Sequence, residues 1–202
     1  MARRMTQRGR ERKQQLMAYA AARFADQGFD QTSVADIVDG VGVGKGVFYW
    51  YFDSKDALLA ELLRSDALDL RDQHHRIDAD QLDPVGRIEE TIRATIHWQA
   101  THPDMVEIIR FAHGDERFAP LYRRNQDLKV ADLVRHVKDG MVAGQIREGD
   151  PVLLAHAILG VTTHLGGTFV HERAACPEEI ADAAVAFCRQ ALLAGSPAAD
   201  PA

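Results

Sequence analysis

The stretch from Thr32 to Lys55, Thr-Ser-Val-Ala-Asp-Ile-Val-Asp-Gly-Val-Gly-Val-Gly-Lys-Gly-Val-Phe-Tyr-Trp-Tyr-Phe-Asp-Ser-Lys, constrains the fold more than any other. It reads as two short helices joined by a tight glycine turn. Ser33 can cap the first, and Asp36, three residues on, can reach back to it in a variant of the capping box. Val34, Ile37, Val38 and Val41 recur at helical spacing and define one buried face. Gly40 and Gly42 end this helix, where a left-handed residue swings the chain into the next one. The second helix runs from about Gly44 to Tyr51. Val43, Phe48 and Phe52 can pack inward, which leaves Lys45, Val47, Tyr49, Trp50 and Tyr51, and several of these must face out.

A corner buried in a helical bundle has no use for two lysines and so many aromatic rings in one short segment. Its glycines, each costing about 1 kcal/mol inside a helix, suit instead a helix end that comes close to a phosphate. The expectation is therefore a helix-turn-helix presented to the DNA major groove. The flank agrees. Residues 1–13 hold Arg3, Arg4, Arg8, Arg10, Arg12 and Lys13 against Glu11, a balance of +5, whereas the whole chain carries −6 and the remainder −11. Attraction for a polyanion thus sits at the N-terminal end. A basic arm there can contact phosphates or enter the adjacent minor groove, with a contribution that falls as salt rises.

The rest of the chain is helical in period. A first helix from about Arg8 to Gln27 carries the stripe Leu16, Ala20 and Phe24, and Gly28-Phe29 stops it. Ser54 can cap a fourth, which continues through Ala57, Leu58, Glu61, Leu62, Ser65 and Leu68 toward Gln73. Further helices are expected over Pro84 to His102, Pro103 to Gly114, Arg117 to Ala143, Pro151 to His171 and Pro177 to Ala194. No run alternates as a half-buried strand does, so the fold class is all-α, with nine helices and no sheet. The division expected is a DNA-binding domain with a basic arm over 1–54, a helical ligand-binding and dimerisation domain over 55–195, and a disordered tail over 196–202.

From about Arg12 to Leu63 the chain resembles the N-terminal DNA-binding domain of the TetR/AcrR family of bacterial transcriptional regulators. The resemblance is carried by Ala21-Ala22-Arg23-Phe24-Ala25-Asp26-Gln27-Gly28-Phe29, Thr32-Ser33-Val34-Ala35-Asp36-Ile37, Gly42-Val43-Gly44-Lys45-Gly46-Val47-Phe48-Tyr49 and Tyr51-Phe52-Asp53-Ser54-Lys55-Asp56-Ala57-Leu58. Where this chain has Gly44 the family commonly has Ser or Thr, so a phosphate contact there falls to backbone N–H. The resemblance implies phosphate contacts from Thr32, Ser33, Lys45, Tyr49 and Lys55, and base reading by Gly44, Gly46, Val47 and Trp50, with Val47 placed to touch a thymine methyl. No Arg, Asn or Gln stands between 44 and 52. The bidentate pairings that read G or A are therefore absent from this helix, and specificity leans on apolar contacts, the arginine-rich arm and DNA shape.

An operator-binding regulator of this type also needs two-fold symmetry and a switch. In 151–171, Leu154, Ile158, Val161, Leu165 and Phe169 form one stripe and His156, Gly160, Thr163 and Gly167 another of mostly small residues. In 177–194, Ile180, Ala184, Phe187 and Ala191 repeat at the same spacing. Two helices from each copy would make a four-helix homodimer interface. Trp98, His102, Met105, Phe111, Phe118, Tyr122, Met141, His164 and Phe169 supply aromatic and sulfur surface for a pocket, and the resemblance implies a small-molecule effector there. His97, His102 and His113 lack metal-ligand spacing, so neither metal nor cofactor is expected. Cys176 and Cys188 read as reduced, small side chains.

No apolar run approaches the roughly 18 residues of a membrane span. A soluble, cytoplasmic protein without a membrane partner is expected. The reading is a dimeric, ligand-responsive repressor that binds palindromic double-stranded operator DNA. Two alternatives are a DNA-bound structural protein without an effector and an enzyme built on the helical domain, although no activated nucleophile or general-base pair stands out.

Overall fold

The computed structural model describes residues 6–76 and 82–193, so Arg3 and Arg4 and the segment 196–202 lie outside the described residues. These hold nine α-helices and no strand: α1 (Gln7–Gln27), α2 (Val34–Val41), α3 (Lys45–Tyr51), α4 (Lys55–Arg76), α5 (Pro84–Thr101), α6 (Pro103–Gly114), α7 (Ala119–Val142), α8 (Pro151–Leu165) and α9 (Pro177–Leu192). Beyond Leu165 the chain continues from α8 as a π-helix, Gly166–Glu172. The all-α reading and its nine helices thus hold.

Local chemistry sets the helix ends. Asp83 caps α5 and Asp150 caps α8, each with proline in the first turn, where its missing N–H leaves no bond unmade. Both arms of the capping box exist on α2. The Asp36 N–H donates to Ser33 Oγ at 3.2 Å and the Ser33 N–H donates to the Asp36 carboxylate at 2.8 Å. Of the two glycines at the end of this helix, only Gly42 takes the left-handed conformation, with φ 70°. Gly40 lies inside α2 and does not end it, which corrects the sequence reading. It is needed for packing, since a Cβ there would fall 1.9 Å from the ring of Tyr19 on α1.

The described residues form two compact units. The first comprises residues up to Ala67 together with Pro103–Arg123. Its core joins Leu16, Ala20 and Phe24 of α1, Ile37 and Val38 of α2, Phe48 of α3, Leu58, Leu59, Leu62 and Leu63 of α4, and Ile108 and Ala112 of α6. The second comprises Leu68–His102 and the chain from Arg124 onward. Its core joins Ile88, Ile92 and Ile96 of α5, Leu133 and Val137 of α7, Ile158 of α8, Val170 of the π-helix, and Val185, Cys188 and Leu192 of α9. Burial pushes the Cys188 thiol up to about 11.

These units do not follow the division at residues 54 and 55. Helix α6 and the turn after it pack with the first four helices. An apolar stripe shows that a helix buries one face and does not say against which partner.

One helical stretch also departs from expectation. Pro151–Glu172 is 22 residues long and, by length and composition alone, apolar enough to cross a membrane. Its interruptions are histidine, threonine and glycine, and the π-helix makes it one continuous rod. Leu154, Ala155, Ile158 and Val170 on it are core residues of the second unit, so it serves as a packing helix on one face. Its opposite face carries Leu153, which is 66% exposed.

Candidate nucleic-acid interface

Helix α3 is anchored by rings on one side and open on the other. Phe48 is fully buried and Phe52 nearly so. The outward face is made by Lys45, Gly46, Tyr49 and Trp50, paired one turn apart as Lys45 with Tyr49 and Gly46 with Trp50. Tyr49 is 54% and Trp50 63% exposed, an unusual solvent cost for two large rings on one short helix. Trp50 sets its ring edge-on to Tyr51, 4.5 Å between centroids. Val47 is half-buried and packs partly against the core.

The glycines of α3 differ in kind from Gly42. Gly44 is an N-cap with φ −77° and no side-chain cap bond. A Cβ built on Gly44 or Gly46 meets nothing within 4 Å, and neither backbone is left-handed. The fold of the chain itself therefore does not require glycine at either place.

Two residues expected to offer polar ends to phosphate bond inward in the structure. Thr32 is buried and its hydroxyl donates to the Gly28 carbonyl at 2.9 Å. The Lys55 ammonium donates to the carbonyls of Phe29 and Thr32, at 2.6 and 2.8 Å, and stands 4.2 Å from the Phe29 ring centre. Both ends bond to carbonyls of the turn between α1 and α2, an arrangement that exists only once the turn has formed. Ser33 stays exposed, with its hydroxyl donating to the Asp36 carboxylate at 2.6 Å. Those bonds from Ser33 hold the Asp36 carboxyl below its ordinary value.

The basic arm is likewise helical from Gln7 onward. Arg8 and Arg10 are exposed on it. Lys13 instead pairs with Glu61 of α4 and, with Arg64 beside it, holds that carboxyl below its usual range.

Sequence reasoning missed one node. Arg117, in the turn between α6 and α7, pairs with Asp115 at 2.7 Å, Asp30 at 3.2 Å and Asp56 at 3.8 Å. Its guanidinium also lies over the rings of Phe29 and Phe118. Phe29 in turn contacts Phe24, Phe111 and Phe118, with centroids 5.0, 5.2 and 5.4 Å away. The turn that positions α2 is thereby riveted to α4, α6 and the start of α7. A hydrophobic residue directly after a helix-stopping glycine was the one available signal.

The expected effector residues fall into two groups. Met105, Phe111 and Phe118 pack in or against the core of the first unit, and Tyr122 sets its ring against His113 at 4.7 Å. Trp98, His102, Met141, His164 and Phe169 belong to the second unit. There Trp98 is buried and stacked on His102, 5.0 Å between centroids, and Phe169 lies under the Arg173 guanidinium. His164 is exposed. Four of the nine thus belong to the first unit and five to the second.

Residues 16–62 match the family described as bacterial regulatory proteins, tetR family. Across 142 residues the chain is 30% identical to the HTH-type transcriptional repressor KstR2 of Rhodococcus jostii (strain RHA1), covering 67% of this chain and 70% of that protein. Against the KstR2 repressor of Mycobacterium tuberculosis (strain H37Rv) it is 31% identical over 157 residues, 75% of this chain and 78% of that one. The chain belongs to the TetR family. This TetR-family protein is a DNA-binding transcriptional regulator with a helix-turn-helix reading head. It also matches the probable acrEF/envCD operon repressor of Escherichia coli (strain K12), 27% identical over 56% of this chain and 52% of that protein. Its fold is shared with the solved structure of the ketosteroid transcriptional regulator KstR2 of M. tuberculosis, at TM-score 0.73 and 23% identity over 91% of this chain and 96% of that one. The fatty acid degradation regulator FadR of Bacillus halodurans superposes at TM-score 0.81 with 15% identity, covering 88% and 94%.

Proposed function

We propose that this TetR-family regulator is a cytoplasmic homodimeric repressor. In each copy α3 enters the major groove of a palindromic operator, and a small-molecule effector held by the helical second unit shifts the population to a form that no longer matches two half-sites about 34–36 Å apart. The description of the relatives as repressors supports the sign of regulation. The observation that carries the DNA docking is the outward face of α3. Its two large rings are exposed, and Gly46 weakens the helix for no reason internal to the chain. A surface kept bare and aromatic beside a lysine suits a close approach to a sugar-phosphate backbone. Ser33, Lys45 and Tyr49 then meet phosphate, while Gly44, Gly46, Val47 and Trp50 lie toward the bases, and Thr32 and Lys55 hold the turn that aims them.

Lys45→Ala tests this directly. Operator affinity should fall for every sequence tried, and the slope of log K against log salt should shrink by about 1, the signature of one lost phosphate contact. An unchanged slope together with unchanged affinity contradicts the docking.

The dimer reading rests on apolar surface that the chain leaves uncovered. Val152 and Leu153 of α8 and Phe187 of α9 are 48%, 66% and 60% exposed, and a helix apolar on two sides needs partners on two sides. Gly160, where an added Cβ meets nothing, leaves room for a second helix to come close. Phe187→Glu should give a monomer by sedimentation at concentrations where the parent protein is dimeric, and tight operator binding should disappear with it. A charged residue there that leaves the dimer intact places the interface elsewhere.

A further inference from the structure

The outward face of α3 divides into two lanes of different chemistry. Lys45 and Tyr49, one turn apart, end in an ammonium and a hydroxyl, groups that bond phosphate. Gly46 and Trp50 make the neighbouring lane, whose one polar side-chain atom is the indole N–H, a donor only. Trp50 is exposed, yet its ring is held in place. It stands edge-on to Tyr51, 4.5 Å between centroids, and Tyr51 packs against the core of the first unit. One turn before Trp50, a Cβ added at Gly46 would meet nothing within 4 Å. The lane is therefore an open notch, floored by the Gly46 backbone with an indole at one end.

Base edges in the major groove offer donors and acceptors, and thymine adds the one apolar group, its C5-methyl. Val47 is the residue that the resemblance sets against such a methyl. In the structure it is half-buried and packs against the core of the first unit, so much of its side chain serves the fold. Trp50 has no such duty.

We infer that Trp50 is the residue through which α3 reads sequence, and that it reads the C5-methyl of a thymine seated in the notch over Gly46. The inference rests on the reading that α3 enters the major groove. Taking one methyl group out of water is worth about fourfold in affinity, so the two half-sites together supply about 15-fold. Because Tyr51 already holds the indole, little side-chain freedom is lost on contact. Cytosine at the same step would bring its amino group to a lane with no side-chain acceptor, and that donor would be left unpaired. The absence of Arg, Asn and Gln from 44 to 52 leaves this apolar contact as the helix's means of choosing a base.

The test uses the full chain on an operator selected from random fragments, titrated at low salt where weakened variants still bind. Thymines are replaced by deoxyuridine, which removes only the methyl group, one symmetric pair at a time. For the parent protein one pair should cost about 15-fold in affinity. Trp50→Ala should melt within about 2 °C of the parent, as an exposed position allows, and should bind the thymine and uridine operators alike. Gly46→Ala, whose methyl group fills the notch, should also lose the distinction. Val47→Ala should keep it. The inference is overturned if no thymine pair is costly, if the cost survives Trp50→Ala, or if it disappears in Val47→Ala. The salt slope of Lys45→Ala then judges the docking separately. A slope reduced by about 1 leaves α3 in the groove with another residue reading the bases, and an unchanged slope removes the docking as well.

Discussion

Gly46→Glu should abolish operator binding while leaving the folded chain as stable as before or slightly more so. The side chain enters open space, since a Cβ at this position meets nothing within 4 Å. It also replaces a residue that costs about 1 kcal/mol in a helix interior, and an acidic group in the first turn of α3 is favoured by the helix dipole. On DNA the same carboxylate would be pressed against phosphate without a counter-charge. Like charges brought together at an interface cost several kcal/mol, so affinity should drop by about 100-fold or more. Gly46→Ala should show the milder form, a gain in melting temperature with a loss of about tenfold in affinity. Thermal melting and operator titration, run side by side, read the two effects. A Gly46→Glu protein that binds the operator like its parent would mean that α3 does not face the groove.

Phe29→Ala should be among the most damaging changes in the first unit, at about 3–5 kcal/mol of stability. Phe29 is 3% exposed and touches three other phenylalanine rings. It also carries the cations of Lys55 and Arg117 on its faces. Its removal leaves a cavity where the α1–α2 turn meets α6. Two charged groups there also lose the ring that receives them. Denaturant titration of the full chain should show an earlier transition with no change in the position of the second unit's own core. A loss below about 1 kcal/mol would show that the ring cluster is dispensable, and that the turn is held by the carbonyl bonds of Lys55 alone.

What could be read from the chain before folding was whatever depends on neighbours in sequence. The Ser33–Asp36 box, the proline starts of α5, α8 and α9, and the left-handed Gly42 are events within about five residues, and each was legible. Gly40 was not. Its role comes from Tyr19, 21 positions away in α1, and no local pattern separates a packing glycine from a stopping one. The inward bonds of Thr32 and Lys55 were hidden for a related reason. Polar residues at the edge of a DNA-reading motif face a choice between solvent and the carbonyls of a turn, and only the formed turn shows that the carbonyls lie within 3 Å. The aromatic residues of α6 and the following turn were grouped by composition with those of α5 and the π-helix. In the fold they divide between two units.

The most direct measurement of the central claim is a hydroxyl-radical footprint of the full chain on an operator selected from random fragments. The account predicts two protected half-sites related by a dyad, with centres one helical turn apart, about 34–36 Å. Protection should vanish in Gly46→Glu. A single unsymmetrical patch, or symmetrical protection that survives Gly46→Glu, would contradict it.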